Sequence, residues 1–228
     1  MTEALLNNTR CFLEEPAWQS VFYSTVLDSE ELPDRSDLVI SLWTELCVGP
    51  GMYKDTTDLI CTDMSPDPVV LENLICQVLQ HTENLLDWND RWLAVLDTNN
   101  TKIIQCDERE PYVMSANPDK RLEIHGTFLS CLVLKYRILV SLAPARFAHL
   151  EAECQDIAAQ IMRLEERVKT RNPQGGLFMA QTVWVGKATV ATKGDFACEF
   201  GRCQLRKAGM IERWKFEKWC RLLGRKTC

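Results

Sequence analysis

Apolar residues recur three and four apart through most of the chain, and the strongest run lies between Pro144 and Thr170. There Phe147, Leu150, Cys154, Ile157, Ile161, Leu164 and Val168 form one seam, the pattern of a helix laid lengthwise on a partner. Pro144 suits a first helical turn, and Asn172-Pro173 stops the helix. The next stretch, GGLFMAQTVWVGKATVAT, is apolar on nearly every side and predicts a second helix enveloped by protein. The hairpin of these two helices is expected at the heart of the domain.

The same reading places helices elsewhere. Residues 3–13 and 16–28 predict two short ones divided at Glu15-Pro16, with Trp18, Val21, Phe22 and Val26 as the stripe of the second. Leu38, Val39, Leu42, Trp43 and Leu46 mark a helix over 35–48, ended by Gly49-Pro50-Gly51 and followed by a shorter one over 54–61. Ser65-Pro66-Asp67-Pro68 is a start signal for a long helix to about residue 97, striped by Leu71, Leu74, Val78, Leu85, Trp88, Trp92 and Leu96. Residues 98–117 lack periodicity and are expected as a mobile loop. A helix over 118–143 shows two apolar faces and should be sandwiched, and a last one spans 205–223. Strand-like alternation never persists. The expectation is an all-α, compact multi-helix domain built on antiparallel hairpins, with 1–228 as one unit.

Charge divides this picture. The net charge of −6 combines a tail, residues 201–228, holding nine Lys and Arg against two Glu, with a body holding 17 basic and 30 acidic residues. The body repels nucleic acid. In the tail, Trp214, Phe216 and Trp219 stand among Arg206, Lys207, Arg213, Lys215, Lys218, Arg221, Arg225 and Lys226. Such a mixture can bind phosphates and stack on bases. It equally suits a closing helix packed on an acidic body, because its apolar residues leave no clean DNA-facing stripe. These eight basic residues are the candidate contacts to nucleic acid or a partner, with packing favoured.

Eleven cysteines raise the question of a disulfide framework. Met1-Thr2-Glu3 lacks the basic start and apolar run of a secretory signal, and Cys76, Cys131 and Cys154 fall on apolar helical faces, as small hydrophobes do. No CxxC occurs, and Cys198 and Cys203 have no second pair, so no metal or cofactor is expected. The most apolar run, 129–142, is broken by Lys135 and Arg137, which argues against a membrane span. Neither a phosphate-binding glycine loop, a GxSxG elbow nor HExxH is present. Asp87 and Asp90 share a helix face, and His125 lies in register with Leu122 and Leu129, which favours a solvated acidic face and a core histidine.

Several stretches together, EPAWQSVF, DRSDLVISLWTELCVGPGMYKD, LLDWNDRW, HLEAECQDIAAQI with RNPQGGLFMAQTVWVGKATVAT, and IERWKFEKWCRLLGRKT, resemble the C-terminal helical regulatory region of fungal zinc-cluster transcription factors. The resemblance covers nearly the whole chain. It implies a nuclear, non-enzymatic protein acting in metabolic gene expression through protein partners or self-association, with DNA reached only indirectly or weakly. The family's N-terminal unit, six cysteines spaced from C-x2-C-x6-C, is missing, so no zinc ligand or base contact carries over. The alternative is a small helical enzyme or accessory protein of a secondary-metabolite pathway, with Asp87, Asp90 and His125 converging on a cavity.

Overall fold

The computed structural model describes residues 4, 9–27, 36–61, 66–102, 118–171 and 180–191, and every regular element among them is helical. The protein is all-α. A short 3-10 turn, Phe12–Glu14, precedes α1 (Pro16–Leu27), α2 (Ser36–Cys47), α3 (Gly49–Cys61) and α4 (Pro68–Lys102). Then come α5 (Pro118–Leu142), the single turn α6 (Pro144–Phe147), α7 (Leu150–Arg171) and α8 (Ala180–Ala191).

The centre lies one helix earlier than the apolar seam suggests. Helix α5 touches α2, α3, α4, α6, α7 and α8, and both of its apolar faces are covered: Leu129, Leu132 and Leu139 on one, Phe128, Ile138 and Leu142 on the other. Residues 121–142 are long and apolar enough to cross a membrane, but 78% of this segment is buried by the other helices. Around α5 a single cluster gathers side chains from α2 to α8. Trp88 anchors it: its ring stacks on Trp92 at 5.6 Å, lies 5.7 Å from Phe128, and its indole N–H donates to the Leu38 carbonyl at 2.6 Å. That bond gives a fully buried indole its required partner while tying α4 to α2.

Helix starts follow local chemistry. Asp67 caps α4, its carboxylate accepting the Val69 N–H at 2.8 Å, with Pro68 in the first helical position. Gly49-Pro50-Gly51, read as a stop, instead opens α3, only Val48 separating it from α2. The proline's missing N–H falls in a first turn, where no intrahelical acceptor would be needed. The Glu14 carboxylate packs over Gly51, so a Cβ there would lie 2.5 Å from it and the end of the Glu14 side chain would have to move aside.

Other expectations change in detail. The seam from Phe147 to Val168 is buried throughout, yet it belongs to two helices. At Ala148-His149 the ladder tightens to i→i+3 bonds, Glu151 N–H to Ala148 and Ala152 N–H to His149. Residues 98–102 of the expected loop continue α4, since extending an existing helix fixes one residue per bond gained. Residues 103–117 lie outside the described residues, as do the last helix over 205–223 and residues 3 and 5–8 of the one over 3–13; of that expected helix, residues 9–11 are irregular and Phe12 opens the 3-10 turn. Helix α8 is not fully enveloped, because Lys187 and Val190 face solvent. Trp18, Val21 and Trp43 are 45%, 51% and 46% exposed rather than core, and Cys76 is exposed.

Helix α8 crosses α7 at Gly186, where a Cβ would lie 2.9 Å from Ile161 Cγ2. Glycine inside a helix costs about 1 kcal/mol relative to alanine, so its value here is the close approach. Gly186→Val is expected to lower stability by about 1–3 kcal/mol in urea unfolding. An unchanged or raised midpoint would show that α7 and α8 separate freely.

Candidate functional site

Polar chemistry inside the described protein concentrates at two nodes on α5, the first part-buried and the second buried, both built on charges that interrupt its apolar run. The first joins α2, α4 and α5. Glu45 of α2 accepts from Asn84 at 2.9 Å and pairs with His81 Nδ1 at 2.8 Å, both on α4. Burial alone would raise the Glu45 pKa, but His81, Asn84 and the nearby Lys135 charge outweigh it and hold it below the ordinary value. Lys135 of α5 is 4% exposed, and its Nζ has no hydrogen-bond partner among the described residues. Burial pulls its pKa down to about 8 against the pull of Glu45 and Cys131, while Cys131 is pushed up to about 11 by burial.

The second node joins α5, α7 and α8. Arg137, wholly buried, donates Nη2 to Glu151 Oε1 at 2.8 Å and, more weakly, to the Thr189 carbonyl at 3.4 Å. Gln155 donates to the same two acceptors, at 2.7 and 2.9 Å. A carboxylate, a guanidinium, an amide and a helix carbonyl thus close one circuit. Its chemistry is that of a structural lock, since every group in it is turned toward another helix.

The surface carries a third cluster. Arg10 reaches Glu14 at 2.6 Å and both Asp55 oxygens at 2.8 and 2.7 Å, clamping the segment before α1 onto α3. Being half exposed, these pairs contribute little stability and chiefly fix position. Beside them a groove of about 440 Å³ runs between α3 and α4, lined by Asp55, Asp58, Leu59, Val70, Asn73, Leu74 and Gln77. Asp55 is held by Arg10 and Asp58 by Lys54, so both carboxylates in the groove already have cations.

The residues proposed for an acid–base site do not come together. Asp87 is 71% exposed and pairs with Arg91 one turn on, and Asp90 faces solvent. His125 is half-buried, stacked on Phe128 at 5.9 Å, and burial lowers its pKa. Among the described residues no hydrogen bond or ion pair joins it to either aspartate, and no group of three His, Cys, Asp or Glu could hold a metal ion. The basic candidates Arg206, Lys207, Arg213, Lys215, Lys218, Arg221, Arg225 and Lys226 lie outside the described residues.

Large apolar side chains stand in solvent on the first elements instead. Phe12 is 60% exposed and meets Trp18 edge to face at 5.6 Å, and Val21 and Trp43 are about half exposed. By spacing alone, Trp18, Val21 and Trp43 belong to apolar stripes. No family model, curated protein or solved structure matches the chain.

Proposed function

We propose that the chain is a helical regulatory domain of the kind found in fungal zinc-cluster transcription factors, working in the nucleus through contacts with other proteins. The supporting observation is the group of exposed apolar side chains Phe12, Trp18, Val21 and Trp43. Phe12 and Trp18 meet edge to face in solvent, and exposed large apolar side chains of this kind suit protein contacts, where Trp in particular contributes much of the energy. The acidic body favours a protein partner over direct DNA contact.

Tethering tests this reading. The full chain, fused to an unrelated DNA-binding domain and placed at a reporter promoter, should shift reporter output several-fold. Replacing Trp18 and Trp43 together by alanine should abolish the shift at equal protein level, since neither contributes to the buried core. Output equal to that of the DNA-binding domain alone would refute the proposal.

A further inference from the structure

Two cysteines that no other function absorbs meet where the N-terminal segment docks on α2. Cys11 immediately precedes the 3-10 turn and Cys47 ends α2, and they are 3% and 0% exposed. The turn packs against α2, and the Cys11 thiol acts on that of Cys47 as a hydrogen-bonding neighbour. Both are free thiols. The clamp of Arg10 on Glu14 and Asp55, and the seat for Glu14 over Gly51, hold this segment on the helix junction from the other side. The contact is therefore positioned by several independent interactions.

We propose that Cys11 and Cys47 form a reversible dithiol–disulfide pair that staples the N-terminal segment to the end of α2. The oxidant is a low-molecular-weight disulfide such as glutathione disulfide. One protein thiolate attacks it, forming a mixed disulfide and releasing one glutathione thiolate. The second protein thiolate then attacks the protein sulfur of that mixed disulfide and expels the second. Two protein thiols are oxidised by two electrons, one glutathione disulfide becomes two glutathiones, and the two protons pass to the released thiolates.

Access sets the order of events. Helix α1, which follows the turn, leaves Trp18 and Val21 in solvent, and the turn itself buries no residue, so little apolar contact holds this segment. Local opening of such a segment costs less than global unfolding and exposes Cys11 first. Burial and the neighbouring Cys11 push the Cys47 thiol up to about 11, which keeps it protonated until the segment moves. Once formed, the bond closes a loop between residues 11 and 47 and sits one residue from Phe12. It thereby fixes the segment that presents Phe12 and Trp18.

The test uses the full chain in a glutathione redox series, advanced until the exposed Cys76 carries glutathione. Thiols are then alkylated, and the digested protein is mapped by mass spectrometry. The expected result is a Cys11–Cys47 linked peptide, with a melting temperature raised by about 10 °C and restored by dithiothreitol. Cys11→Ser, which leaves α2 intact, should show neither the link nor the rise. Cys11 and Cys47 recovered as free thiols while Cys76 is modified would overturn the proposal. So would separate glutathione adducts on the two, or links to other cysteines. Because the readout is a covalent map, it is independent of the reporter assay.

Discussion

Replacing Arg137 by methionine is expected to lower stability by about 3–5 kcal/mol, the cost of removing one member of a buried ion pair. Glu151 would stay at the interface of α5, α7 and α8 with its cation gone, and Gln155 could supply only a neutral donor. The carbonyl of Thr189 would lose its Arg137 bond and keep the one from Gln155. Replacing Glu151 as well should recover most of the loss, because two apolar side chains of similar size avoid burying any charge. The measurement is a double-mutant cycle in urea: Arg137→Met, Glu151→Met and the pair. A coupling energy of about 2 kcal/mol or more is expected between the sites. Additive losses, or an Arg137→Met cost below about 1 kcal/mol, would mean that the circuit does not hold the three helices together.

That circuit was visible in the sequence only as an interruption. Lys135 and Arg137 break an apolar run, and their presence inside a two-faced helix carries more information than that. A helix covered on both sides has no solvent face for a charge, so each must be paired, neutral or costly. Their partners, Glu45 and Glu151, lie 90 residues before and 14 after, and no local pattern names them. Periodicity succeeded where burial is one-sided: every residue of the seam from Phe147 to Val168 is in the core. Helical spacing alone does not fix burial. Trp43 lies beside Leu42 in register, but α2 turns Leu38, Leu42 and Leu46 inward and leaves Trp43 in solvent. The glycines around Pro50 fit a terminator as well as a start, because breakers mark both ends of helices. Here the chain continues through them into α3, with Glu14 packed over Gly51. The exposed aromatics were thus hidden among residues that looked like core.

The second charge on α5 predicts the opposite sign of effect and a pH signature. Lys135→Met should stabilise the protein at pH 7 by about 2–3 kcal/mol. Burial lowers the amine from 10.5 to about 8, and at 1.36 kcal/mol per pKa unit this penalty is about 3 kcal/mol. Below about pH 8 the folded and unfolded states are both protonated here, so the penalty is complete and flat. Between about 8 and 10.5 the unfolded state binds more protons than the folded one, and stability therefore rises with pH. The groups facing this amine are the Glu45 carboxylate, which favours its charged form, and the Cys131 thiol, with His81 engaged on the far side of Glu45. Methionine keeps the length of the side chain and removes the charge, at the loss of a modest attraction to Glu45. Urea unfolding of both proteins at pH 7 and pH 9.5 should show the advantage of Lys135→Met shrinking by about 2 kcal/mol at the higher pH, as the native chain's own amine loses its proton on folding. Comparing the difference at two pH values cancels the titrating groups that do not interact with Lys135, which leaves Glu45 and Cys131 as the coupled ones. An advantage that does not change with pH would place Lys135 in water rather than among α2, α4 and α5. A variant less stable than the parent at pH 7 would mean that the attraction to Glu45 exceeds the cost of burial, and that the amine belongs to the same locking system as Arg137.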